Sequence, residues 1–348
     1  MSVRKLATIQ KIKSLTPIAN ADAIELAQVL GWNCVVKKNE YKVGDEIVYF
    51  EVDSFIPVSP EFEFLRKGCF RKTDFGEGFR IKTIRLRGQI SQGLVMPMSI
   101  LGERWHEFEE GNEVTEILGV KQYQPPMPAC LKGLVKGTFP SFMSKTDETR
   151  VQLLQEVLTR NKGIKCYVTE KVDGTSVTYY YRDGEFGVCS RNLELLESDC
   201  AYWKLARELD IEKKLENLGF NIAIQGEIIG TGIQENPLKL DKKKVLFFNA
   251  FLIDKYQYFD YLDFWSLMND LGLETVPIIT ANYILTDDIN ELVKFATAKS
   301  MVEPKVWREG IVIRPIKETM DMQMAQGFGN GRLSFKAINP EYLIDVEV

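Results

Sequence analysis

Four charged residues interrupt stretches of this chain that are otherwise apolar. Lys171 lies in Glu170-Lys171-Val172-Asp173-Gly174-Thr175, between the apolar runs 165–169 and 176–182. Glu227 sits within Gln225-Gly226-Glu227-Ile228-Ile229, and Glu309 directly precedes Gly310-Ile311-Val312-Ile313. Lys336 falls inside Leu333-Ser334-Phe335-Lys336-Ala337-Ile338. A half-buried carboxylate needs a partner. An amine brought among carboxylates offers a nucleophile and oxygen donors for a cation. Taken singly, each is equally a strand-edge charge, and Asp173-Gly174 is equally plain turn chemistry.

Other chemistries have little to work with. The chain of 348 residues has one histidine, His106, so no His-pair metal site exists. Its six cysteines form no C-x-x-C pair, which argues against a zinc site or a disulfide framework and fits a reducing, intracellular compartment. Apolar content of 45% and charged content of 27% are those of a globular protein. No run approaches the roughly 20 apolar residues that span a bilayer, so no membrane partner is expected, and the N-terminus lacks a secretory signal pattern. A net charge of −5 neither favours nor excludes nucleic acid, because cations focused in one groove suffice.

The elements that must position these residues divide the chain. Residues 1–120 read as β-rich, with candidate strands at Arg4–Lys13, Ile24–Leu30, Cys34–Lys38, Glu46–Val52, Arg80–Leu86 and Gly93–Met98. A small barrel or sandwich follows from that spacing, an OB-fold being one candidate. Residues 121–145 hold four of the thirteen prolines and read as a linker. Asp147–Arg160 carries Val151, Leu154 and Leu158 at helical spacing. From about 164 strands dominate, with helices expected from Ser198 or Asp199 to Asn217, at Tyr258–Asp270 and at Asp287–Lys299. The fold class expected is α+β: an N-terminal β-barrel, then residues 146–348 as antiparallel sheets with flanking helices.

In their order, the charged motifs resemble those of the covalent nucleotidyltransferases, the superfamily of ATP-dependent DNA and RNA ligases and mRNA capping enzymes. Lys171-Val172-Asp173-Gly174 is similar to its K-x-D-G motif, and Gly226-Glu227 to its third motif. Phe247-Phe248-Asn249-Ala250-Phe251 resembles the aromatic strand that follows, and Glu309-Gly310-Ile311-Val312 the E-G-x-V motif. Ser334-Phe335-Lys336 stands where K-x-K is usual, with Ser334 replacing the first lysine. Arg332, Lys317 or a basic residue of the N-terminal domain is weighed as the substitute. Ser190-Arg191-Asn192 looks like a further ligase motif. The β-rich module precedes the motifs, and with Lys145-Thr146-Asp147-Glu148-Thr149-Arg150 this resembles the Naegleria and Deinococcus type of RNA ligase, with its N-terminal OB domain.

The resemblance implies an ATP-dependent RNA ligase that joins RNA 3′-OH to 5′-phosphate ends, typically at nicks, through a lysyl-AMP on Lys171. A DNA ligase and a non-catalytic OB-type nucleic-acid-binding protein are the alternatives. By the same resemblance Asp173, Glu227 and Glu309 surround Mg²⁺ or Mn²⁺, while Lys336, Lys145 and Arg150 hold phosphates. Phe251 stacks on adenine, with Phe248 close behind, and Val312 covers the other face. Glu170 meets the exocyclic amine, and Arg191 contacts the ribose or a 5′-phosphate. Desolvation, a divalent metal and basic side chains near Lys171 are expected to favour its neutral amine. Arg66, Lys67, Arg71, Lys72, Arg80, Arg85 and Arg87 are candidates to grip RNA phosphates. A monomer is expected.

Overall fold

The computed structural model describes residues 5–19, 21–73, 76–123, 133–327 and 331–346. The chain divides into two compact units, Met1–Pro126 with Leu343–Val348, and Met127–Tyr342. Among the described residues no helix is long and apolar enough to cross a membrane.

In the first unit, alternating apolar residues build two larger antiparallel sheets, beside a two-stranded pair of Ile84–Leu86 and Gln89–Ser91. One has the order Leu94–Pro97, Glu46–Phe50, Ala7–Pro17, Ile24–Val29, Trp32–Lys37. The other runs Lys121–Gln122, Ser54–Pro57, Gly76–Arg80, Phe70–Thr73. Ile9, Val48, Phe50, Ile56, Phe62 and Phe79 fill the space they enclose. The expected strand Arg80–Leu86 is two strands, Gly76–Arg80 and Ile84–Leu86, in different sheets. Ile81 turns inward between them and donates its N–H to the Ser54 carbonyl. Of the expected linker, residues 124–132 lie outside the described residues, while Val135–Thr138 pairs with Leu193–Leu195.

The second unit contains two further sheets. Seven strands run in the order Val135–Thr138, Leu193–Leu195, Glu185–Ser190, Thr175–Arg182, Ile222–Ile229, Lys244–Leu252, Gln257–Tyr258. Five run in the order Thr149–Arg150, Phe335–Ile338, Gly310–Pro315, Lys165–Lys171, Ile278–Ile284. Helices Ala201–Glu208 and Tyr261–Leu271 pack on the larger sheet through Tyr202, Leu205, Phe264 and Met268. Helix Ile289–Ala296 covers the smaller sheet through Leu292 and is capped by Asp288, whose side chain accepts from the N–H groups of Asn290 and Glu291.

The helix expected over Asp147–Arg160 is reduced to Gln155–Arg160. Thr149–Arg150 is instead extended and pairs in parallel with Phe335–Lys336. Side-chain bonds hold the preceding residues to the site: Thr146 Oγ1 lies 2.8 Å from Ser176 Oγ, and Glu148 Oε1 accepts from Arg314 at 2.7 Å. Tertiary bonds override the helical periodicity there.

Candidate active site

Strand Lys165–Lys171 ends the smaller sheet's contribution, and Thr175 opens the next strand in the larger one. The three-residue turn between them holds Lys171 where the sheets meet. Close backbone approach requires glycine beside the charged residues. A Cβ on Gly174 would lie 2.2 Å from the Ile228 carbonyl oxygen, and one on Gly310 would lie 2.3 Å from that of Ala337.

Lys171 pairs across the strand with Gly310, so Glu309 arrives beside it. Lys171 Nζ donates to Glu309 Oε2 at 2.6 Å, with the two side chains 25% and 16% exposed. Glu227 enters from the larger sheet, opposite Ser176 and Leu246. Asp173 accepts a short hydrogen bond from the Tyr342 hydroxyl. Lys336 lies on Phe335–Ile338 opposite Val312, with Arg150 on the strand beside it.

The side chains around Lys171, before any cation is bound, favour its charged form. Burial pulls the Lys171 amine down, but Glu309, Glu227 and Asp173 together outweigh it and hold the amine above its ordinary range. With these carboxylates around it, Lys171 rests as an ammonium rather than as a neutral amine. Burial carries Glu227 up to about 8 despite Lys171, with Glu309 and Asp173 adding to the rise. Burial also raises Glu309, against the pull of Lys171. Lys336 moves the other way: burial and the nearby Lys171 and Arg150 bring it to about 7.

A pH dependence follows. The folded Glu227 titrates at about 8 against an ordinary 4.5. Between those values the folded chain retains a proton that the unfolded chain has released. Stability from this group is therefore complete below 4.5 and is lost as pH rises through about 8. Glu227→Gln keeps the neutral shape without that loss. Its melting temperature relative to the parent, in metal-free buffer, should climb from about pH 5 to about pH 9. A difference that stays level across the range contradicts the assignment.

A cavity opens beside Lys171. Phe248, Val312 and Val276 give it apolar walls, while Thr169, Glu170, Thr146 and Arg314 supply polar groups. A flat heteroaromatic ring suits such a slot. Glu170 is anchored in the wall: Ser300 Oγ donates to one oxygen at 2.5 Å and the Met301 N–H to the other at 2.6 Å. Each carboxylate oxygen keeps a lone pair for a further donor.

Phe251, expected on the ring-stacking face, does not line the cavity. It is 1% exposed and packs with Phe139, Met143, Tyr180 and Tyr258. The cause is register. Glu227 pairs with Leu246, whereas Phe251 pairs with Ala223, four residues further along the strand. A bulge between Gln225 and Gly226 leaves Phe248 without a directly opposed partner. Phe248 shares the face of Leu246 by the ordinary alternation of a strand, and at that end of the strand it lines the cavity.

Ser334, which replaces the usual lysine, accepts from Arg314 Nε at 2.9 Å. Arg314 also donates to Glu148 and to the Phe248 carbonyl, and it is almost wholly buried at the cavity wall. The cation weighed for this role, Arg332, is bonded to Glu318 and Asn249 and does not line the cavity. Arg314 was not anticipated from the sequence, although a charge ending the apolar run Ile311-Val312-Ile313 was its signal. Lys145 donates to Asn192, and Arg191 is paired with Asp147 at 2.5 Å, so these two motifs meet. In the first unit Arg66, Lys72 and Arg80 are held by Glu63, Glu77 and Asp53.

Among the described residues no three His, Cys, Asp or Glu side chains converge closely enough to form a metal cage by themselves. The donors still suit a hard divalent cation, which keeps waters and takes one or two carboxylates together with phosphate oxygens. Glu227 and Glu309 are crowded about one amine, and both are raised by burial that added positive charge would relieve.

A family model described as an OB-fold domain matches residues 6–98, and one described as RNA ligase matches residues 164–338. No curated protein sequence matches the chain. Three solved structures of Naegleria gruberi RNA ligase are similar to it. An aspartate-to-alanine mutant without ligand is 40% identical, with a TM-score of 0.87, covering 99% of this chain and 98% of that one. A lysine-to-alanine mutant with ATP and Mn is 40% identical, TM-score 0.87, covering 97% and 98%. The enzyme with PPi is 41% identical, TM-score 0.86, covering 98% of each.

Proposed function

This chain belongs to the RNA ligase family and is an ATP-dependent RNA ligase, and we propose that it joins RNA 3′-OH to 5′-phosphate ends through a covalent lysyl-AMP on Lys171. The observation that carries this is Lys171 Nζ, held 2.6 Å from Glu309 at a cavity with a buried carboxylate at one end and an aromatic slot at the other.

The reaction begins with Lys171. Its amine forms a bond to the α-phosphorus of ATP, the bond to the bridging oxygen breaks, and pyrophosphate leaves. The resting ammonium must first lose a proton, and Glu309 Oε2 already accepts its N–H. A divalent cation, Mn²⁺ or Mg²⁺, when bound near Glu227 and Glu309, offsets phosphoryl charge and lowers the affinity of the amine for its proton. Asp173, its carboxylate kept in place by Tyr342, would join Glu227 and Glu309 in holding that cation, directly or through water. Phe248 and Val312 sandwich the adenine, and Glu170 takes its exocyclic amine. Lys336, Lys145 and Arg150 hold phosphates. Arg191 meets the ribose or the 5′-phosphate of the RNA. AMP then passes from Lys171 to that 5′-phosphate, the 3′-OH attacks the adenylylated end, and AMP leaves. The acting form is a monomer on a nicked duplex.

Sealing of matched nicked duplexes tests the substrate. With RNA on the 3′-OH side the nick should close, and with DNA there it should close at least about 10-fold more slowly, since a site that hydrogen-bonds a hydroxyl discriminates against its absence. Equal or faster sealing of the DNA terminus would replace this reading with a DNA ligase.

A further inference from the structure

We infer that the loop of residues 230–243 is a cationic docking surface for the RNA backbone beside the nucleotide cavity. The inference rests on the RNA ligase reading and adds to it a surface that the adenylylation chemistry does not use.

The loop joins the strand that carries Glu227 to the strand that carries Phe248. Its inner side is fixed to the catalytic turn. Leu238 is buried and, with Leu240, packs against Val172, Ile229 and Leu246. The Gln234 side-chain amide donates to the Gly174 carbonyl at 3.2 Å. The loop is also closed on itself. Thr231 Oγ1 donates to the carbonyls of Leu240 at 2.7 Å and Asp241 at 3.0 Å. The Asn236 side chain donates to the Leu240 carbonyl and accepts its N–H. Three non-glycine residues, Gln234, Asn236 and Lys239, are held at φ of 48°, 51° and 51°. Each such conformation is strained for a non-glycine residue, and the surrounding bonds offset it. The loop is therefore a fixed platform.

Its outer side carries the charge. Lys239, Lys242 and Lys243 are exposed, and among the described residues none of their side chains has a hydrogen-bond or ion-pair partner. Elsewhere Lys11, Lys72, Lys136 and Lys162 are each paired with a carboxylate, while among the described residues Lys13, Lys38, Lys204 and Lys255 are exposed without a side-chain partner, so it is the grouping of three on one fixed loop that sets this surface apart. Lys244, which closes the loop, is paired with Glu274. Asp241 is the one acid in the run Lys239–Lys244. Within the loop Lys239, Lys242 and Lys243 outnumber the exposed acids Glu235 and Asp241, so its outer side is positive in a chain whose net charge is −5. A polyanion neutralises that excess. The triphosphate has its own cations in Lys336 and Arg150. The loop backs the turn on the side of Val172, so the anion that suits these lysines is the phosphodiester backbone of a strand entering the site.

The test is the full chain with Lys239→Ala, Lys242→Ala and Lys243→Ala together, alongside the same three positions changed to Arg. Binding of a fluorescently labelled nicked RNA duplex is measured across a salt series, and transfer of label from ATP to Lys171 is measured in parallel. The alanine variant should bind at least about 10-fold more weakly at low salt, and its slope of log K against log salt should fall by about 2 to 3, near 0.9 for each phosphate that is no longer neutralised. The arginine variant should keep both, and all three proteins should take AMP at equal rates. Unchanged affinity and slope in the alanine variant would overturn the inference. So would a fall in labelling that matches the fall in sealing, because the lysines would then serve the triphosphate. A parent protein that binds RNA through this loop yet neither takes AMP nor seals would overturn the ligase reading and leave the docking surface standing.

Discussion

Lys171→Met protein incubated with labelled ATP and Mn²⁺ should carry no covalent nucleotide after denaturing electrophoresis. Methionine has nearly the length of lysine and no nucleophilic nitrogen, so the loss should be complete rather than partial. The substitution also removes the cation that Glu309, Glu227 and Asp173 share. Removing one partner of a buried ion pair is costly, so a fold control is needed. Lys171→Arg supplies it: the guanidinium keeps the charge facing Glu309 but stays protonated and does not attack phosphorus. Both variants should lack the adduct, and the arginine variant should melt close to the parent. Label retained on either variant would show that another residue takes the AMP.

The second large effect concerns the carboxylates that frame the amine. Glu309→Ala removes the acceptor 2.6 Å from Lys171 Nζ and lets the nucleophile leave its line of attack. Misplacement of a reacting group by about 1 Å costs on the order of 100-fold. Glu227→Ala removes the other buried carboxylate that draws cationic charge to the cavity. Each should slow lysyl-AMP formation by about 100-fold or more in single-turnover measurements. Because both groups act on one amine, the double variant should fall short of the product of the two losses. Near-normal rates in both single variants would remove them from the cation site and leave Glu309 with only a structural ion pair.

How far the site was legible depended on the kind of signal. Lys171, Glu227, Glu309 and Lys336 stood out because charges inside apolar strands need partners, and the fold brings them to one place. The nearby phenylalanines carried no such mark. Choosing between Phe248 and Phe251 required knowing that Leu246 pairs with Glu227 while Phe251 pairs four residues away at Ala223, and pairing register leaves no trace in composition. The helix expected over Asp147–Arg160 lost its first turns because Thr146 and Glu148 bond to Ser176 and Arg314, residues distant in sequence. Ser300, Met301 and Tyr342 were not anticipated for the same reason: each acts through one hydrogen bond to a motif residue more than 100 positions away. The charge of Lys171 depends on the cation expected beside it: the side chains alone, Glu309, Glu227 and Asp173, favour the ammonium.

Everything proposed for this chain depends on a phosphorus–nitrogen bond at one side chain. Tandem mass spectrometry of the protease-digested protein, after incubation with ATP and Mn²⁺, locates that bond directly. The peptide containing Lys171 should carry one adenylate on the lysine ε-nitrogen, and subsequent addition of pyrophosphate should remove it. A digest in which that peptide is unmodified, or in which the adenylate sits on Lys336 or any other residue, would contradict the account.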